Sequence, residues 1–241
     1  MIKLEHVVLA SPEQMEFIIE GMRNPLNSWN KSDSSCGQVT RETNVQWSGD
    51  YFIGTNDADL MQRLAKAGTD HRKFMRMMPV YVRITAPLYW WKEFDTYKVS
   101  TVTNSCSTMH KIQAKEFTVD DFSCDHLTKS TMKLFNESIR ELNFWRDAFN
   151  CKSDEERNLY FANSGWNDTY IPTKKECWWQ MIQLLPSSYN QTRNVMLNYE
   201  VLANMYHSRK NHKLDEWREF CKWIETLPYS ELIIGEEKPN D

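Results

Sequence analysis

Residues 78–94 read MPVYVRITAPLYWWKEF, and this stretch decides the fold class. Val80, Val82 and Ile84 alternate with Tyr81, Arg83 and Thr85, the period-two pattern of a strand with one buried face. Pro87 suits the opening of a helix, where a missing N–H costs nothing, and LYWWKEFDTYKV continues as that helix. Most of the chain beyond Asp120 has helical spacing. The combination predicts an α+β protein, a small antiparallel sheet packed with a larger set of helices.

Upstream, SPEQMEFIIEGM has helical spacing, NPLNSWNKSDSSCGQ is polar, and VQWSGDYFIG is strand-like. Residues 1–55 therefore read as loop with one helix and one hairpin. GDYFIGTN has the glycine gap of a phosphate loop, but Thr55 and Asn56 stand where Lys and Ser/Thr are needed, so it reads as a turn. Asn56 or Asp57 is the expected cap of a helix through ADLMQRLAKA, with Gly68 as its left-handed stop.

Downstream, Met132, Leu134, Phe135, Ile139, Leu142, Trp145 and Phe149 recur at helical spacing and predict one long amphipathic helix. The polar patch KSDEERNLYFANSGWNDTYIPT separates it from a helix through ECWWQMIQLL. After Pro186, VMLNYEVLANMYHSR and LDEWREFCKWIETL are expected as two more helices. The layout predicts one α+β domain over 1–241, with a helical insert at about 120–175 and a frayed tail at 235–241.

Composition narrows the function. The 241 residues hold 29 Lys and Arg against 33 Asp and Glu, a net charge of −4, which argues against a general nucleic-acid binder. The seven glycines are too scattered for a GxGxxG. No run approaches about 18 apolar residues, and the N-terminus lacks a signal-like core. The expectation is a cytoplasmic protein without membrane or nucleic-acid partners. The six cysteines form no CxxC pair and read as reduced thiols. Cys106 and His110, followed by Cys124 and His126, have spacings that fit no ordinary zinc ribbon or finger, so no metal is expected.

Three places concentrate chemistry: His71-Arg72-Lys73; the hydroxyl-rich run FDTYKVSTVTNSCSTMHK; and the helical stretch with Asn198, Asn204, His207 and Arg209. Each also has an ordinary reading, as a surface histidine, a solvated loop and a charged helix end whose Arg209 and Lys210 complement the dipole.

At the third place the residues carry a resemblance. Leu185-Pro186, then Asn198, Leu202, Asn204 and Arg209 resemble the C-terminal signature of the flavin-dependent thymidylate synthases, where an LP element precedes N-A-R-x-L-x-N/H-F-L-x-L-R. DEWREF is similar to the helix that follows it, with a one-residue shift. Upstream, HRKFMRMMPVYVRITAPLYWWKEFDTYK lies over the family's histidine, strand, turn and helix without a gap, His71 falling on the histidine. The resemblance covers roughly residues 60–110 and 180–225. In the family's R-H-R-x-x-S-x-N-E-x-S-x-R-Y motif, Thr96, Tyr97 and Lys98 occupy the R-H-R triplet. Asn104, Cys106 and Thr108 stand at its Glu, second Ser and following Arg, and Glu200 replaces the N-A-R arginine.

The resemblance implies methylation of dUMP, or a related pyrimidine deoxynucleotide, at C5. Methylenetetrahydrofolate is the carbon source, FAD the cofactor and NADPH the reductant, in a homotetramer whose 190–209 helix lies near a subunit interface. It assigns cofactor binding to His71, Lys98, Asn198, Asn204 and Arg209, and substrate binding to Glu93, Asn104, Ser105, Ser107 and Thr108. Cys106, at the base-facing position, is the candidate nucleophile toward C6; a buried, inert thiol is the alternative. The loss of the R-H-R arginines, whose bidentate clamp no threonine replaces, leaves open a nucleotide-binding or assembly module of the same fold.

Overall fold

The structure, a computed structural model, describes residues 2–36 and 51–235. In chain order its strands are β1 (Lys3–Leu9), β2 (Ser35–Cys36), β3 (Tyr51–Phe52), β4 (Pro79–Pro87), β5 (Val102–Ser105) and β6 (Asn190–Asn198). Its helices are α1 (Pro12–Arg23), α2 (Thr55–Lys66), α3 (Leu88–Phe94), α4 (Thr108–Lys111), α5 (Lys129–Asn150), α6 (Asp154–Asn163), α7 (Lys174–Leu184), α8 (Tyr199–Arg209), α9 (Asp215–Glu225) and α10 (Glu231–Ile234). Four strands form a sheet in the order β1-β4-β6-β5, and β2 pairs with β3 antiparallel. The α+β expectation, with a small antiparallel sheet and a larger set of helices, holds.

The chain divides into two compact units, one of residues 2–84, 93–104 and 193–235, the other of residues 85–92 and 105–192. In the first, β4 alternates as its sequence requires: Val80, Val82 and Ile84 are buried while Tyr81 and Arg83 face out. Beside it runs a strand that periodicity had assigned to a helix. The segment before Asn198 is β6, and α8 begins only at Tyr199. Met78 pairs with Tyr199 and Thr85 with Thr192, numbers falling on one strand as they rise on the other, so β4 and β6 are antiparallel. Val195 and Leu197 are buried with Met196 half-buried between them and Asn194 exposed before them, a period of two in a segment too short and polar to announce it.

Helix α2 starts one residue past Gly54, and neither Asn56 nor Asp57 caps it. The Asp33 carboxylate takes the Asn56 and Asp57 N–H groups at 2.9 and 3.1 Å, which satisfies orphan donors from across the loop. Gly68, at φ +99, stands just past the helix end as the left-handed stop.

In the second unit, α5 is the long amphipathic helix, capped by Thr128 and burying Ile139, Leu142, Trp145 and Ala148 at three-residue spacing. Leu134 faces out. The core joins these residues to Phe117 and Phe122 before them and to Phe161, Cys177 and Met181 on α6 and α7. Helix α6 lies inside the patch that polarity had marked as a spacer. Ser153 caps it, and its buried Arg157 reaches the Pro172 carbonyl at 3.0 Å. Helix α3 also stops earlier than expected, at Phe94. The distal part of the expected hairpin, residues 37–50, and most of the expected frayed tail, 236–241, lie outside the described residues.

Candidate functional site

Helix α3 ends by presenting Glu93, and the carboxylate collects three neighbours. Arg209, in the last turn of α8, donates Nη1–H to Oε2 at 2.8 Å, and the Trp217 indole N–H of α9 donates to the same oxygen at 2.8 Å. His212 Nε2 lies 3.4 Å away. Its Nδ1 accepts from the Leu214 N–H at 3.2 Å, so the network assigns the proton to Nε2. Arg209 also donates Nε–H to the Tyr97 hydroxyl at 2.9 Å and lies 4.9 Å from the centroid of the Trp217 ring. The guanidinium is thereby paired, hydrogen-bonded and stacked.

A second carboxylate organises the start of α8. Glu200 is buried, and Arg72 and Arg76 both donate to it, Arg72 Nε at 3.3 Å and Arg76 Nη2 at 3.2 Å, with Arg76 Nε on the other oxygen. Arg72 Nη2 continues to Asn204 Oδ1 at 3.0 Å. Burial pushes the Glu200 carboxyl up, but the hydrogen bonds and charges of Arg76 and Arg72 outweigh it and hold it below the usual carboxylate range. Asn198 is the N-cap of α8, its Oδ1 accepting the Val201 N–H at 2.9 Å.

The run 104–108 divides between strand and cap. Asn104 and Ser105 close β5 with exposed side chains. Cys106 is exposed, its N–H donating to the Thr192 carbonyl at 2.9 Å and its carbonyl accepting from Gln191 Nε2 at 2.9 Å. Ser107 is spent on local structure, its hydroxyl accepting the His110 N–H at 3.0 Å as the cap of α4, and Thr108 is the first residue of that turn. His71 sits exposed in the turn after Gly68, and Lys98 is exposed beyond α3.

Of the expected site residues, the structure thus brings Glu93 and Arg209 into direct contact, and it binds Asn204 into the Glu200 cluster. His71 and Lys98 are the two cofactor candidates with no side-chain bond among the described residues. Sequence reasoning missed Tyr97 and Trp217 as partners of Arg209, His212 and Trp217 as partners of Glu93, and Arg72 and Arg76 as partners of Glu200. Arg72 sat beside the singled-out His71, but nothing local said that a residue 128 positions away would carry its counter-charge. Among the described residues no group of three His, Cys, Asp or Glu side chains gathers as a metal site, and no helix is long and apolar enough to cross a membrane.

Three of the five residues assigned to a flavin are already bonded within the chain. Asn198 caps its own helix, Asn204 accepts from Arg72, and Arg209 is neutralised by Glu93. None of the five lines the cavities of 240, 690 or 320 Å³ in the first unit.

No protein-family model and no curated protein matches the sequence. The fold does match solved structures. Thymidylate Synthase X (ThyX) from Helicobacter pylori, with FAD and dUMP, aligns over 96% of this chain and 94% of its own, at a TM-score of 0.57 and 13% identity. A second ThyX structure from that organism, also complexed with FAD and dUMP, gives 0.56 at 14% identity over 96% and 95%. The UMP/dUMP methylase PolB from Streptomyces cacaoi, bound with 5-Br dUMP, gives 0.50 at 10% identity over 94% and 88%. At these identities the likeness establishes the fold, which is that of ThyX.

Proposed function

We propose that the protein binds a pyrimidine deoxynucleotide, dUMP or a close relative, and methylates it at C5. The observation that carries this reading is the whole-chain likeness to proteins solved with dUMP or a dUMP analogue, which extends over 94–96% of the chain. In this reading Glu93, Asn104, Ser105, Ser107 and Thr108 belong to the nucleotide site. The Cys106 thiolate adds to C6 of the base as the C5–C6 π bond opens, and C5 attacks the methylene carbon of methylenetetrahydrofolate, whose two C–N bonds break in turn. The C5 proton is lost, a hydride that NADPH would supply through FAD completes the methyl, and the thiolate leaves C6 as the C5–C6 double bond re-forms. FAD and NADPH enter through the resemblance, against the internal bonding of Asn198, Asn204 and Arg209. The assembly that goes with the reading is a cytoplasmic homotetramer.

A second reading, a nucleotide-binding or assembly module without catalysis, is favoured by Glu93 and Glu200. These two carboxylates tie up Arg209, Arg72 and Arg76, cations that would otherwise be free for phosphate. Two measurements separate the readings. Purified protein with flavin absorbs at about 370 and 450 nm, and incubation with dUMP, methylenetetrahydrofolate, NADPH and FAD yields dTMP if the first reading is right. A colourless protein that forms no dTMP under any of these supplements leaves only the module. Light scattering at micromolar concentration tests the assembly, and a strict monomer refutes the homotetramer.

A further inference from the structure

The outward face of the sheet carries polar side chains that no other described residue engages. Because β4 buries Val80, Val82 and Ile84, it turns Tyr81 and Arg83 to the opposite side. Strand β1 adds His6, β5 adds Asn104 and β6 adds Asn194, and the five line a cavity of 240 Å³. None of their side chains has a hydrogen bond, ion pair or ring contact among the described residues.

The chemistry of this set is specific. A phenol ring 45% exposed offers a flat face, and Met196 of the adjacent β6 and Val102 of β5 beyond it add apolar surface to the same cavity. The two carboxamides each present a donor and an acceptor, as the edge of a uracil or cytosine ring requires. Arg83 follows Tyr81 by two residues, roughly 7 Å along the strand, within the span of a single nucleotide. No acidic residue among the described residues lines the cavity, and Arg83 gives it a cationic end in a chain whose net charge is −4. His6, which points into the same cavity, holds a left-handed φ of 51° inside a strand, a conformation that costs a non-glycine residue energy and recurs at binding sites. The volume lies just under the range of about 300–1,000 Å³ that accepts drug-sized ligands.

We propose that this face binds a pyrimidine mononucleotide, its ring on Tyr81, its edge read by Asn104 and Asn194, and its phosphate held by Arg83 with His6 beside it. The cavity's own chemistry calls for a heteroaromatic anion, and the pyrimidine rests on the function proposed above. Calorimetric titration of the full chain with dUMP, deoxyuridine and inorganic phosphate tests it, with thermal melts as the check on folding. Arg83→Gln weakens dUMP at least tenfold and leaves deoxyuridine nearly unchanged. Tyr81→Ala weakens both at least tenfold, and Tyr81→Phe stays within threefold of the wild type because it keeps the ring. Folded Arg83→Gln and Tyr81→Ala proteins that bind dUMP like the wild type overturn the proposal, as does a wild type that binds no dUMP.

The outcomes also separate this site from the methylation. Binding that ignores both substitutions in a protein that still forms dTMP removes the sheet-face site alone. Binding that depends on them, without dTMP or flavin, removes the methylation and keeps the site.

Discussion

Removing the Asp57 carboxylate is expected to destabilise the first unit more than any single change at the candidate site. Asp57 is fully buried in the first turn of α2, and its oxygens take five donors. Arg23 Nε gives Oδ1 a bond of 2.6 Å, while Oδ2 accepts from the Ser32 and Ser34 hydroxyls at 2.7 Å and from the Asp33 and Ser34 N–H groups at 3.1 Å. Arg23 is itself only 5% exposed. Asp57→Ala therefore leaves a buried guanidinium without a counter-charge, with the Ser28 backbone and hydroxyl oxygens at 3.3 and 3.4 Å as its remaining acceptors. Breaking one side of such a pair costs about 3–5 kcal/mol, a large share of the roughly 5–15 kcal/mol that holds a domain together.

Urea unfolding followed by tryptophan fluorescence measures the loss. Replacing both partners, as in Arg23→Met with Asp57→Leu, should recover part of it, since the stranded charge is gone. Burial raises the Asp57 carboxyl, but the bonds from Ser34, Ser32 and Arg23 bring it below the usual carboxylate value. Its contribution is then fully present above the unfolded value of about 3.9 and disappears as pH falls through the folded one. An Asp57→Ala loss under about 1 kcal/mol, or a double variant as unstable as the sum of the singles, would refute the reasoning.

Glu200 obeys the same sign: its stabilisation is complete above about pH 4.3 and is lost as pH falls through its lowered folded value, so Glu200→Gln should flatten the acid limb of stability against pH. Asn198→Ala should cost about 0.5–2 kcal/mol as a lost cap, while Asn198→Asp retains most of it; if Asn198 instead mainly held a cofactor, thermal stability of the cofactor-free protein would not move. Cys106→Ser should abolish dTMP formation if the thiol is the nucleophile, with dUMP affinity preserved, and near-normal turnover removes Cys106 from the chemistry.

The elements that were legible are those whose burial has one strong period. In β4, Val80, Val82 and Ile84 alternate without exception, and in α5 the buried residues recur every third position from Ile139 to Ala148. Strand β6 was hidden because its buried positions include Gln191 and its last residues run without a break into α8, so VMLNYEVLANMY carries apolar residues at both periods. The turn of phase falls at Asn198, and the signal for it was the residue type: an asparagine that is poor inside a helix is favourable at its N-cap. Helix α6 was hidden for another reason. Its apolar face is little more than Phe161, and what fixes it is Ser153 at one end and the buried Arg157 within.

The site was legible as positions and not as bonds. Asn204 and Arg209 recur at spacings along α8 that a resemblance can match, but whether a guanidinium is available to a ligand depends on what faces it from elsewhere in the chain. Arg209 is met by Glu93, 116 residues away, and Arg72 by Glu200, at the position where the resemblance calls for an arginine. Glu200 holds two arginines that the same position, as arginine, would have repelled. The exchange reverses the local charge logic at the start of α8. Arg83, which no local motif marked, stands on the sheet face with no side-chain partner among the described residues. An anion approaching this unit therefore meets a free guanidinium on the sheet and neutralised ones at α8.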